Sequence, residues 1–196
     1  MGRREETRRR TFDEILTVAN RVAEAEGWPA VTIRRIATEI GYSAPVIYQH
    51  FENKEAVLHT LLQQGNTELL QRLRGAVAGG TPAHGPHLAA TAYLEFVRSQ
   101  PALYQLMSGA ASGAIIDAAA RHRAAADVIA FTRHLIQTWA EQATVELVSV
   151  EDASDLLWGT LHGLAGIGTL ADVGFDRAQQ LADQAVAALL GYWSRA

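Results

Sequence analysis

Residues 32–54, TIRRIATEIGYSAPVIYQHFENK, constrain the fold more tightly than any other stretch of the chain. Thr32 is a favoured N-cap, because its side-chain oxygen accepts from a backbone N–H of the first turn. Ile33, Ile36, Ala37 and Ile40 then follow the i, i+3, i+4, i+7 spacing of one buried helical stripe. Gly41 suits the left-handed position that closes a helix. Ser43 is a candidate cap for a second helix, and Pro45 suits its first turn. Val46, Ile47 and Phe51 are expected to point inward, leaving Tyr48, Gln49 and His50 on or near the outer side. Two short helices joined by a tight turn, the second polar and aromatic outside, match the geometry that seats a helix in a DNA major groove.

The run from Ile36-Ala37 through Ile47-Tyr48-Gln49-His50-Phe51-Glu52-Asn53-Lys54-Glu55 resembles the N-terminal domain of the TetR family of bacterial transcriptional repressors, over roughly Thr7 to Leu62. The resemblance implies an all-helical homodimer that binds a double-stranded DNA operator. It also implies a C-terminal domain whose small-molecule effector releases DNA. Thr32, Tyr48, His50 and Lys54 fall where the family makes phosphate contacts, which position a protein without reading sequence. Tyr42, Ser43, Ala44, Pro45 and Gln49 lie at the start and outer face of the second helix. Gln49 can pair bidentately with an adenine edge, and Ala44 or Pro45 can touch a thymine methyl. The segment Tyr42-Ser43-Ala44-Pro45 departs from the Lys or Gly often found there, and Pro45 has no N–H to offer a phosphate.

Charge supports this division only weakly. Residues 1–54 hold nine basic and eight acidic side chains, and residues 55–196 hold eight and thirteen, so the asymmetry has the right sign and little size. Arg3, Arg4, Arg8, Arg9 and Arg10 precede or open the first helix, either as an arm for the minor groove or backbone or as a solvated end. With no cysteine there is no disulfide framework, thiolate nucleophile or thiolate metal site. The first residues lack the apolar core of a secretory signal, and Glu6 breaks the myristoylation pattern. No apolar run is long enough to span a membrane, so a cytoplasmic location with no membrane partner is expected.

The seven histidines form no metal-binding or catalytic pattern, and neither a nucleophile elbow nor a P-loop occurs. Gly163-Leu-Ala-Gly-Ile-Gly168 has the wrong spacing for a dinucleotide fingerprint. No catalytic residue, metal or cofactor is therefore expected. The fold expectation is all-α: an N-terminal three-helix helix-turn-helix domain over 1–52 and a helical effector-binding and dimerisation domain over 53–196, about nine helices together. Helices are expected near 7–26, then the two short ones of residues 32–54 with Gly41 ending the first, then near 53–77, 87–99, 101–109, 113–143, 151–171 and 175–194.

Trp158 and His162 share a helix face at i, i+4, and the W-x-x-x-H-G run resembles the WHG-type branch of TetR C-terminal domains. Gly159, Gly163 and Gly166 form another face that invites close approach of a second helix, since each interior Gly costs about 1 kcal/mol relative to Ala. The last helix carries Ala178, Leu181, Ala185, Ala188, Leu189 and Tyr192 as an apolar stripe. These two helices from each subunit are expected to form a four-helix dimer interface. Tyr93, Phe96, Tyr104, Met107, Phe131, His134, Trp139, Trp158 and His162 are candidates for a pocket that takes an apolar or aromatic effector, or simply for core. The alternatives are an all-α small-molecule-binding protein or enzyme without DNA function, and an activator of the same fold.

Overall fold

A computed structural model describes residues 2–109, 116–170 and 172–195. Among these are ten α-helices and no strand. They are α1 (Arg3–Glu26), α2 (Ile33–Glu39), α3 (Ala44–Tyr48), α4 (Lys54–Ala78), α5 (Gly85–Ser99), α6 (Pro101–Ser108), α7 (Ala118–Ala124), α8 (Ala126–Ala143), α9 (Val150–Gly168) and α10 (Gly174–Trp193). Short 3-10 turns occupy Trp28–Ala30 and Pro82–His84. The chain forms two compact units: Met1–Asn66 with Pro101–Ala124, and Thr67–Gln100 with Ala125–Ala196.

In the first unit α1 buries Ile15, Leu16, Ala19, Val22 and Ala23, with Phe12 half-buried at the head of the stripe. The helix starts at Arg3 rather than near Thr7. The five arginines from Arg3 to Arg10 are therefore helical, not an extended arm, because Glu5 and Glu6 favour the positive end of a helix. Thr32 caps α2 as expected, accepting from the Arg35 N–H at 3.1 Å. Ile36 and Ala37 are buried, and Ile33 and Ile40 are half-exposed at the margins of the stripe. Gly41 closes the helix with φ +72°, and the next N–H, of Tyr42, reaches the Ala37 carbonyl at 2.9 Å.

Ser43 does not cap α3 with its side chain. Pro45 at the second helical position has no N–H, and the Val46 N–H is held by the Ser43 carbonyl at 2.9 Å. The hydroxyl is left at the surface. α3 is one short turn, anchored by Ile47 and, just beyond it, Phe51, both buried, while Val46 is half-buried. Asn53 caps α4 by accepting from the Ala56 N–H at 2.9 Å.

Trp28 is the largest fully buried side chain among the described residues of this unit, 1% exposed. Its indole N–H donates to the Ala102 carbonyl at 3.0 Å. Its own carbonyl accepts from Lys54 Nζ at 2.9 Å and from the Val31 N–H at 3.2 Å. The turn after α1, the start of α4 and the first turn of α6 are thereby joined.

The single helix expected over 113–143 is two, α7 and α8, parted at Ala125; positions 113–115 lie outside the described residues. Alanine propensity continues through the break, but Ala124 belongs to one unit and Ala125 to the other. Asp117 caps α7 at the Ala120 N–H, 2.6 Å, and the Arg121 guanidinium folds back to the Ile116 carbonyl.

In the second unit α9 packs on α10 through one face of each helix. Ala153, Ser154, Leu157, Leu161, Ala165 and Gly168 are buried on α9, and Ala178, Ala182, Val186, Leu190 and Trp193 on α10. A Cβ on Gly168 would lie 3.0 Å from the Phe175 ring and 3.1 Å from the Ala178 methyl, so the helices close at that point because there is no side chain. Ala178 is thus part of this internal seam rather than of the outward stripe. No helix among the described residues is long and apolar enough to cross a membrane.

Replacing Trp28 by Phe removes the indole donor and part of the ring from a closed site. Stability should fall by about 1–3 kcal/mol, read as a lower urea midpoint. An unchanged midpoint would show that the corner carries no stability.

Candidate functional site

The outer face of α3 and its flanks gathers the residues singled out for DNA. Tyr42 and Tyr48 are 45% and 56% exposed. Ser43, Pro45 and Gln49 are also exposed, and Ala44 is half-buried. Thr32 is exposed at the start of α2; its oxygen accepts the cap bond, and its hydroxyl keeps a hydrogen to donate.

His50 follows α3 and is half-buried. Its ring lies 6.5 Å from that of Phe12, which stacks on Phe51 at 4.8 Å. Burial, and then the positive charge of Arg8, hold its pKa below the ordinary histidine value. Sequence reading places Arg8 among the arginines of an N-terminal arm and not as a neighbour of His50. The signal was present: Arg8 and Phe12 stand at i, i+4, so one face of α1 carries both toward His50. Lys54 is held by the Trp28 carbonyl, and burial lowers its pKa. An ammonium has three donors, so this bond leaves two. Arg21 and Arg35, by contrast, are engaged with Glu39 and Glu26 in surface pairs.

Of the nine residues proposed around a ligand, the structure brings three together, while Trp139 is buried with its ring 6.0 Å from that of Trp193. The Tyr93 and Trp158 rings meet at 4.8 Å, Trp158 and His162 at 5.6 Å, and the Tyr93 hydroxyl pairs with His162 Nδ1 at 2.7 Å. Burial lowers the His162 pKa. Phe96 is wholly in the core, beneath the Arg72 guanidinium at 5.4 Å. His134 is exposed and Phe131 half-buried, neither beside this cluster's slot. Tyr104 and Met107 belong to the first unit, where Met107 packs toward Gly65. Helical spacing places a ring on a face but does not say which faces converge.

Beside the Tyr93–Trp158 pair, α4, α5, α8 and α9 leave a narrow slot of about 20 Å3. Leu73, Tyr93, Leu135, Leu157 and Trp158 wall it, and the hydroxyls of Thr132 and Ser154 interrupt the apolar lining. Sequence reading missed these two. Ser154 sits at i, i+3, i+7 with Leu157 and Leu161, the one polar member of a buried stripe, which was the available signal.

The outward faces of α9 and α10 lack cover. Leu156, Leu170 and Tyr192 are 50%, 52% and 62% exposed. A Cβ on Gly159, Gly163 or Gly166 would meet nothing within 4 Å. Leu181, Ala185 and Leu189 are half-buried on the same side of α10 as Tyr192.

A capped helix pair whose short second helix exposes Tyr48 beside Gln49, followed by a second helical unit, has the form of a helix-turn-helix DNA-binding regulator. Residues 15–61 match the family of bacterial regulatory proteins of the TetR type, and residues 87–191 match the tetracyclin repressor-like C-terminal domain. The chain belongs to the TetR family of DNA-binding transcriptional regulators, a family of regulators and not of enzymes. It is 28% identical over 98 residues to the nucleoid occlusion factor SlmA of Pasteurella multocida, covering 49% of each chain. The match thus spans about half the length of this curated relative. A transcriptional regulator from Rhodococcus sp. RHA1 has the same fold with a TM-score of 0.75 at 20% identity, over 93% of this chain and 97% of that one. The TetR family regulator PfmR from Thermus thermophilus superimposes with a TM-score of 0.69 at 18% identity, over 90% and 96%.

The depressed His50 pKa has a definite sign. The unfolded chain binds the proton more readily, so this contribution to stability is complete above the ordinary histidine value and is lost as pH falls through the lowered one. Arg8→Ala should move the His50 titration, followed by NMR, part of the way back up, because burial remains. A titration that does not move would separate Arg8 from this site.

Proposed function

We propose that the chain works as a homodimeric repressor in the cytoplasm, binding a pseudo-palindromic operator and leaving it when a small apolar effector is bound. Residues 1–52 read DNA, with Lys54 just beyond them as a further phosphate contact, and residues 53–196 bind the effector and dimerise. The observation that carries the reading is the outward aspect of Tyr48 and Gln49 on a short helix anchored by Ile47 and Phe51. A recognition helix needs this: one side fixed in the core, the other free for a groove.

The contacts divide by chemistry. Thr32, Tyr48, His50 and Lys54 bind phosphates, joined by Arg8, whose charge already reaches His50. Tyr42, Ser43, Ala44, Pro45 and Gln49 meet base edges, with Gln49 the principal reader. The free Ser43 hydroxyl is available to the groove because the cap uses the backbone instead.

A palindromic operator requires two recognition helices about 34–36 Å apart. The uncovered face of Gly159, Gly163, Gly166, Leu181, Ala185, Leu189 and Tyr192 supplies the second copy, in a four-helix interface with two-fold symmetry. Three open interior glycines, each costing about 1 kcal/mol in a helix, make sense against another backbone.

Effector control runs along α4. This one helix carries Lys54 at its start and Leu73 at the slot beside Tyr93 and Trp158. An effector releases DNA only by binding better to the form in which α4 has shifted and the groove spacing is lost.

Tyr48→Phe and His50→Ala should weaken binding to every DNA sequence alike, whereas Gln49→Ala should change the preferred sequence, by about 1–3 kcal/mol at one position. Selection from a random DNA pool reads both; an unaltered preference in Gln49→Ala would overturn the base-reading role. Gly163→Leu should yield monomers in size-exclusion chromatography, and a surviving dimer would remove the proposed interface.

A further inference from the structure

The slot of the second unit has a chemical character that narrows what it accepts. Its walls are Leu73 from α4, Tyr93 from α5, and Leu157 and Trp158 from α9, and no charged side chain lines it. The polar groups are hydroxyls. Ser154 is 3% exposed, and its Oγ reaches Thr132 Oγ1 at 3.4 Å, a long contact. The Thr132 hydroxyl is already directed at the carbonyls of Ile129, 2.9 Å, and Val128, 3.2 Å. The lone pairs and hydrogen of Ser154 are thus weakly satisfied in an apolar setting, where a buried hydroxyl favours a better partner. A carboxylate or ammonium placed here would lose its water and find no counter-charge. His162, which pairs with Tyr93 nearby, offers none, since burial favours its neutral ring.

We propose that this slot binds an uncharged apolar small molecule carrying one neutral hydrogen-bonding group, a hydroxyl or a ketone, directed at Ser154. The inference rests on the effector reading above and adds the charge and polarity of the effector and the residue that orients it. The open volume of about 20 Å3 holds about one water molecule, so a ligand must part the walls to enter. Leu73 is one of those walls, so a ligand that enters presses on α4.

The test is calorimetric titration of the full-length chain with four probes of equal chain length: 1-octanol, 2-octanone, octanoate and octylammonium. Saturable binding of the two neutral probes at one site per chain is expected, at least about tenfold tighter than either ion. Ser154→Ala should weaken the neutral probes about fivefold, the worth of one hydrogen bond, with an unchanged thermal melt. Equal affinity for either ion, no saturable binding of the neutral probes, or indifference to Ser154→Ala would each overturn the proposal. A parallel operator-binding assay separates the two claims. Neutral binding without DNA release supports the slot's chemistry and overturns the effector role, while DNA release by octanoate alone overturns the chemistry and supports the role.

Discussion

The hydrogen bonds at Trp28 hold the helix-turn-helix segment in place. Everything between Val31 and Lys54 is a short excursion of two helices with few buried side chains of its own. Its ends meet at one carbonyl, that of Trp28, which takes the Val31 N–H and Lys54 Nζ. The indole of the same residue is tied to Ala102 and closed to solvent. A helix of one turn such as α3 cannot fold alone, because a helical nucleus is unfavourable and so few residues add little. It is rigid because both of its flanks are clamped and because Ile47 and Phe51 are buried beneath it. Lys54 therefore has a structural duty beside any contact with phosphate.

The same economy recurs in α9 and α10, where one helix serves two surfaces. The inward stripes close against each other at Gly168 and Ala178. The outward ones carry exposed leucines, a tyrosine and open glycines. Ser154 and Thr132 place two hydroxyls in an otherwise apolar wall, where they pair with each other and with the carbonyls of Val128 and Ile129.

Most of the helical plan was legible because it rests on local physics. Thr32, Gly41 and Asn53 act on the turns next to them, and each does what its chemistry suggests. The apolar period of α2 predicts its buried Ile36 and Ala37 for the same reason. Ser43 misled, since Pro45 and a competing backbone bond settle how that turn is capped. The break at Ala125 was invisible in an alanine-rich run whose propensity favours continuing.

The outward set Tyr42, Tyr48 and Gln49 was readable as well, because it is what remains once Ile47 and Phe51 turn inward. Convergence was not readable. Tyr93, Trp158 and His162 are far apart in the chain and meet only because α5 and α9 pack, while Phe96, one turn from Tyr93, faces the core under Arg72. Nor does any pattern in the chain announce that the Trp28 carbonyl is the anchor for Lys54. The sequence by itself determined helix spacing, caps and the polar face of α3, since these depend on neighbours within a turn or two. Only the tertiary structure decided which faces close on each other and which stay open, because packing joins residues whose separation along the chain carries no local signal.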